Sequence, residues 1–140
     1  MGEDMVLTYQ VDSDDFTRAG EASSSLKRTL KQLGIPADII RRISIVMYEG
    51  EINMVIHAHG GTITVTIGDE GVEMVLKDTG PGIPDIEKAM QAGWSTASEE
   101  VRAQGFGAGM GLPNMKKNAD TFHIDTVLGV GTTVTAAVHF

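Results

Sequence analysis

The chain has 140 residues, 41% of them hydrophobic, a net charge of −8 and no cysteine. One domain over residues 1–140 is expected, large enough to bury about two-thirds of its unfolded surface, and disulfides and thiolate metal sites are excluded. The acidic balance argues against general binding to nucleic acid or a membrane surface, and neither a signal-peptide core nor an apolar run near the roughly 18 residues of a membrane span is present, so a cytoplasmic protein is expected.

Met5 to Val11 reads as a first strand. Ser13 or Asp14 is placed to cap a helix, and Phe16, Ala19, Ser23, Leu26, Leu30 and Leu33 follow at helical spacing. Gly34 ends that helix, and Pro36 suits the first turn of the next. The second helix is expected from about Ala37 to Ala58, with Ile39, Ile43, Val46, Met47, Met54 and Val55 on its apolar side. Glu49, Asn53 and His57 are four apart and form one polar line beside it. Glu51 points elsewhere and is expected at the surface. Gly50 weakens the helix by about 1 kcal/mol against alanine, unless a neighbour packs closely there.

A hairpin follows, in which Ile63, Val65 and Ile67 alternate with threonines, Gly68 to Gly71 turn, and Val72, Met74, Leu76 and Asp78 share one face. An apolar stripe thus ends in a carboxylate aimed the same way as the core. Residues 84–90 suggest a short helix, and Gln91 to Gln104, which includes the only tryptophan, Trp94, suggests a mobile loop. A third helix is expected to about Ala119, then a second hairpin: Phe122 to Leu128, a turn at 129–131, and Thr132 to Phe140, with Thr132, Val134, Ala136, Val138 and Phe140 on one face. Early helices with hairpins between and after them indicate an α+β two-layer sandwich, a mainly antiparallel mixed sheet with helices on one face.

The segment from Asp78 to Leu112 carries the chemistry. It opens with Asp78-Thr79-Gly80-Pro81-Gly82-Ile83 and closes with Gly105-Phe106-Gly107-Ala108-Gly109-Met110-Gly111-Leu112. Glycines at every second position suit a backbone that bends sharply and approaches a ligand, and bare N–H groups ahead of a helix suit phosphate. No P-loop, no Rossmann fingerprint and no eukaryotic-type kinase motif set is present.

Four features then stand in order: Glu49-x-x-x-Asn53 on a helix, Asp78-x-Gly80-x-Gly82-Ile83 at a strand end, the glycine cluster of 105–112, and Gly131-Thr132 on a hairpin. Together they resemble the ATP-binding domain of the GHKL superfamily. Within it the chain looks most like the bacterial anti-sigma factor and serine-protein kinase family. Trp94-Ser95-Thr96 and Gly109-Met110-Gly111-Leu112-Pro113 are most similar to the switch kinases.

The resemblance implies ATP and Mg²⁺ as cofactors. It implies that Asp78 accepts from the adenine amino group, Gly80, Gly82 and Ile83 bring backbone to the base, and Thr132 reaches the adenine pocket. A strand-end acid, a Gly-Pro-Gly turn and an ordinary strand threonine are the plainer alternatives. Asn53 would bind Mg²⁺, and Glu49 would be the catalytic base. Gly105, Gly107, Gly109, Met110, Gly111 and Leu112 would surround the triphosphate, with 91–104 as a lid. His57 is read as structural before phosphate-binding. The implied activity is phosphorylation of a serine on a STAS-domain antagonist protein. The alternatives are an ATP-gated anti-sigma factor holding a sigma factor, or a non-catalytic ATP-binding regulatory domain. A phosphatase partner and a homodimer are further expectations, and no nucleic acid or membrane is expected as a direct partner.

Overall fold

Period-two alternation of apolar side chains lays strands down at five places, and the same alternation decides which face becomes the core. A computed structural model describes residues 4–11, 20–57, 60–83, 86, 90 and 111–140. Within them the strands are β1 (Met5–Val11), β2 (Gly61–Ile67), β3 (Gly71–Asp78), β4 (Thr121–Val127) and β5 (Gly131–His139). They form one sheet in the order β1-β2-β3-β5-β4. The mainly antiparallel sheet expected is what forms: all four described pairings are antiparallel.

The helices are α1 (Glu21–Gln32), α2 (Ala37–His57) and α3 (Gly111–Asn118). Ile63, Val65, Val72, Met74, Leu76, Val134, Ala136 and Val138 bury one face of the sheet against Leu26, Leu30, Ile43, Val46, Met47, Met54, Val55 and Met115 of the helices. Each such Val, Leu, Ile or Met side chain contributes about 1.5–3 kcal/mol by leaving water. The stripe expected on the last strand holds through Val138, while Phe140, beyond the strand, is exposed.

Two local points follow. α1 runs from Glu21, directly after Gly20 at φ 97, a left-handed conformation that interrupts an α-helix. The cap expected at Ser13 or Asp14 and the helical positions Phe16 and Ala19 lie outside the described residues, as does most of the short helix expected over 84–90. Gly50 has a packing reason. A Cβ there would collide with the Leu76 side chain and stand 3.0 Å from Met115 Cε, so α2 rests directly on β3 and α3 at this point.

Arg42 ties the end of α3 to α2. Its Nε donates to Asn118 O at 3.1 Å and its guanidinium pairs with Asp120 at 3.1 Å. Asp120 also accepts the His139 N–H at 2.6 Å. These bonds hold the Asp120 carboxyl below the usual carboxylate range, the His139 N–H foremost and then Arg42.

Candidate functional site

The core face of the sheet turns polar in its last row. Val11 lies opposite Gly61, and Gly61 opposite Asp78. Farther along, Thr132 lies opposite Thr126. The row therefore runs from a buried valine, through a glycine, to a carboxylate and two hydroxyls. Asp78 and Thr132 are linked directly: the Thr132 N–H donates to Asp78 Oδ1 at 3.0 Å. The Gly80 N–H donates to the same oxygen at 2.9 Å. Asp78 Oδ2 receives no bond from the described residues. One carboxylate oxygen thus fixes the side chain, and the other is left as an acceptor. Gly131 permits the approach, because a Cβ there would collide with the Asp78 carbonyl.

The loop after β3 is pinned to the β4–β5 turn. The Ile83 N–H donates to Thr126 Oγ1 at 2.8 Å, and the Gly129 N–H donates to Pro81 O at 2.9 Å. Gly82 stands at φ +84, and a Cβ there would sit 2.9 Å from Val127 O. Its conformation and this packing both demand glycine without any ligand.

The second half of the site is on the helices. Glu49 and Asn53, one turn apart on α2, both meet the first turn of α3. Asn53 lies against Gly111, where a Cβ would be 2.9 Å from Nδ2 and 3.0 Å from Oδ1. Glu49 hydrogen-bonds the Asn114 side chain. Burial pushes the Glu49 carboxyl above the ordinary carboxylate range, and the Asn114 bond draws it partly back. A free acceptor at the sheet end, an amide beside a bare glycine, and a half-buried acid can receive a base, a phosphate-bound cation and a hydroxyl proton, in that order. Among the described residues, no three His, Cys, Asp or Glu side chains come together to hold a metal ion unaided.

Residues 13–138 match the family described as histidine kinase-like ATPase domain. The chain belongs to that family.

Similar proteins narrow the branch. Serine/threonine-protein kinase RsbT of Bacillus subtilis is 33% identical over 114 residues, 79% of this chain and 80% of its own length. Anti-sigma F factor of Bacillus subtilis is 32% identical over 133 residues, covering 91% of this chain and 84% of its own length. Anti-sigma F factor of Bacillus licheniformis is 32% identical over 116 residues, 79% of this chain and 76% of its own. This GHKL domain therefore sits in the branch holding serine kinases and anti-sigma factors, and the family is one of ATP-binding domains.

Of the residues the sequence singled out in the GHKL domain, the structure brings Asp78, Gly80 and Thr132 together, and sets Asn53 against Gly111 and Glu49 against Asn114. Ile83 joins the first group through its backbone. Leu112 packs on the core edge. Gly105, Gly107, Gly109 and Met110, the loop of 91–104 with Trp94, and the His57 side chain lie outside the described residues.

Three residues were missed by sequence reasoning. Thr126 and Asn114 carry no motif of their own. Glu51 was expected at the surface, and that is corrected: it is 3% exposed. Its two oxygens accept the N–H groups of Ala22 and Ser23, each at 3.1 Å. Gly20 gives α1 no side-chain cap, so a carboxylate from α2 satisfies the exposed N–H groups and the positive helix end instead. The one signal in the sequence is a helix preceded by glycine where a capping side chain is usual.

Proposed function

We propose that this protein is an ATP-dependent serine-protein kinase of a bacterial partner-switching pathway, acting in the cytoplasm on a STAS-domain antagonist. The observation that carries this reading is the pairing of Glu49 and Asn53 on one line of α2, both meeting the first turn of α3. The similarity to a serine/threonine-protein kinase over 79% of the chain supports it.

The residues fit the groups the family implies. Asn53 would hold Mg²⁺ through Oδ1, since magnesium takes few protein ligands and completes its shell with phosphate oxygens and water. The ion, when bound, would neutralise phosphate charge. Asp78 would accept from the adenine amino group through Oδ2, with Gly80 and Ile83 as backbone walls. Gly105, Gly107, Gly109, Met110, Gly111 and Leu112 would line the phosphates. Glu49 would take the proton of the attacking serine hydroxyl as the phosphoryl group passes to that oxygen. Its place in a half-buried site suits a base that must surrender the proton afterwards.

A second reading is supported by the similarity to anti-sigma F factor over 91% of the chain: an ATP-gated anti-sigma factor, dimeric and holding a sigma factor until the antagonist displaces it. The deciding experiment incubates the protein with labelled ATP and each candidate STAS-domain protein. Label on a partner serine is the expected result. ATP binding without any transfer, together with a stable sigma-factor complex, selects the second reading.

A further inference from the structure

The three helices share one end. α1 turns into α2 through residues 33–36, with the Gly34 N–H donating to Lys31 O and the Ile35 N–H to Leu30 O, so the last turn of α1 lies beside the first of α2. α3 runs antiparallel to α2, because Gly111 meets Asn53, Asn114 meets Glu49 and Asn118 meets Arg42. The C-terminal ends of α1 and α3 therefore stand with the N-terminal end of α2. Glu49 and Asn53 lie toward the other end, as does Asp78, whose cross-strand neighbour Gly61 packs on Met54.

Charge is divided along the same line. Seven of the chain's 11 lysines and arginines lie on these helices, against four of its 19 acids. Lys27, Lys31, Arg41, Lys116 and Lys117 are exposed toward the shared end, and none of them makes an ion pair among the described residues. Asp38 is the one helix acid there. Lys31, Lys116 and Lys117 complement the negative ends of α1 and α3. Lys27 stands before the last turn of α1, and Arg41 is near the positive end of α2, so helix dipoles account for neither. Leu33, at the C-cap of α1, is 45% exposed at the same end. The bordering end of the sheet is acidic: Asp4 lies against Gly68 of the β2–β3 turn, which also carries Asp69 and Glu70.

We propose that this end of the helix layer is a docking surface for an acidic protein, remote from the proposed nucleotide site. Exposed like charges repel one another, and a partner's carboxylates would relieve that repulsion. Neighbouring helix axes pack about 8–10 Å apart, so three helices side by side span roughly 20 Å, the scale of a compact protein patch. Leu33 supplies an apolar contact within a polar surround. The sheet-end acids bound the surface on one side. A long nucleic acid or a membrane plane would run on to meet them and the rest of a chain of net charge −8, whereas a compact acidic patch stops short of them. Arg41 and Asn53 are about 18 Å apart along α2, beyond the screening length of about 8–10 Å. The surface is therefore electrically separate from the nucleotide site, and the proposal stands whether or not the protein is a kinase.

The test uses the whole protein and three probes at low salt: a poly-glutamate peptide standing for a carboxylate-rich protein surface, a DNA duplex of equal charge, and phosphatidylglycerol vesicles. The parent should bind the peptide, and more tightly than it binds the other two. Arg41→Glu should weaken peptide binding by about three- to tenfold, the scale of one or two exposed ion pairs. Lys77→Glu makes the same change in net charge on the opposite face of the sheet, where Lys77 is exposed, and should leave binding within about twofold. Equal losses in the two variants would show a response to net charge alone and overturn the proposal, as would a parent that does not bind the peptide. Tighter binding of the duplex or the vesicles, lost in Arg41→Glu, would assign the surface to that class instead and overturn it too. Should Arg41→Glu not fold, judged by its circular dichroism and thermal transition, Lys27→Glu replaces it under the same criteria.

Discussion

Gly111 presses its bare Cα against the side-chain amide of Asn53, leaving no room for a Cβ without displacing Oδ1 and Nδ2. The first residue of α3 and the proposed magnesium ligand on α2 are thus set by one contact. Gly111→Ala should push the amide aside by a few tenths of an ångström. Mg-ATP affinity should fall about tenfold, while the thermal midpoint moves by only about 2–4 °C for a loss near 1 kcal/mol. A titration at parent affinity would separate Asn53 from the nucleotide site.

Asp78→Asn should fold. Its carbonyl oxygen can still accept from Gly80 and Thr132, as Oδ1 does now. The other position changes from acceptor to donor, so ATP affinity should drop by roughly 10- to 100-fold, the worth of a charge-assisted bond of about 1.5–3 kcal/mol. Preference for ATP over GTP should shrink with it. Equal ATP and GTP affinity in the parent would remove Asp78 from adenine recognition.

Glu49 should matter for transfer and little for binding. Glu49→Ala is expected to keep Mg-ATP affinity within a few-fold and to lower single-turnover phosphorylation by about 10²-fold or more, whereas Asn53→Ala loses both. Because burial raises the Glu49 carboxyl, the base is competent only above its raised folded value. The acid limb of the pH–rate profile should therefore lie above that of an exposed glutamate, and Asn114→Ala should move it higher still by removing the bond that draws the value down.

The same shift has a stability sign. A carboxyl whose folded value is raised binds its proton more tightly in the native state, so its contribution to stability is full below the unfolded value and is lost as pH rises through the folded one. Glu49→Gln should accordingly be more stable than the parent at neutral pH and no more stable near pH 3. Urea titrations at the two pH values test this, and a gain at the acid pH alone would reverse the assignment.

Glu51→Ala should destabilise the protein by about 1–3 kcal/mol, since the Ala22 and Ser23 N–H groups lose their acceptor in a buried place. Glu51→Gln, which keeps one acceptor oxygen, should recover part of the loss. Unfolding free energies of the two variants at one pH decide the matter, and a neutral Glu51→Ala would show that water caps α1 as well.

The sequence by itself determined the elements whose signal is periodic. Alternation of Val72, Met74, Leu76 and Asp78 placed the carboxylate on the core face, and the same parity placed Thr132 beside Val134, because a strand offers only two sides. Spacing by four put Glu49 and Asn53 on one helical line. The order of these features with the glycine cluster pointed to the family, which residues 13–138 then matched. What the tertiary structure decided lies in contacts between segments far apart in the chain. Glu51 meets Ala22 and Ser23 across 29 and 28 residues, and Thr126 meets Ile83 across 43. Gly50 is needed by Leu76 and Met115, which no local pattern names. Periodicity tells which way a side chain faces. It does not tell which distant backbone N–H, methyl or hydroxyl the fold will bring to meet it, because that depends on strand order and on how the helices settle on the sheet.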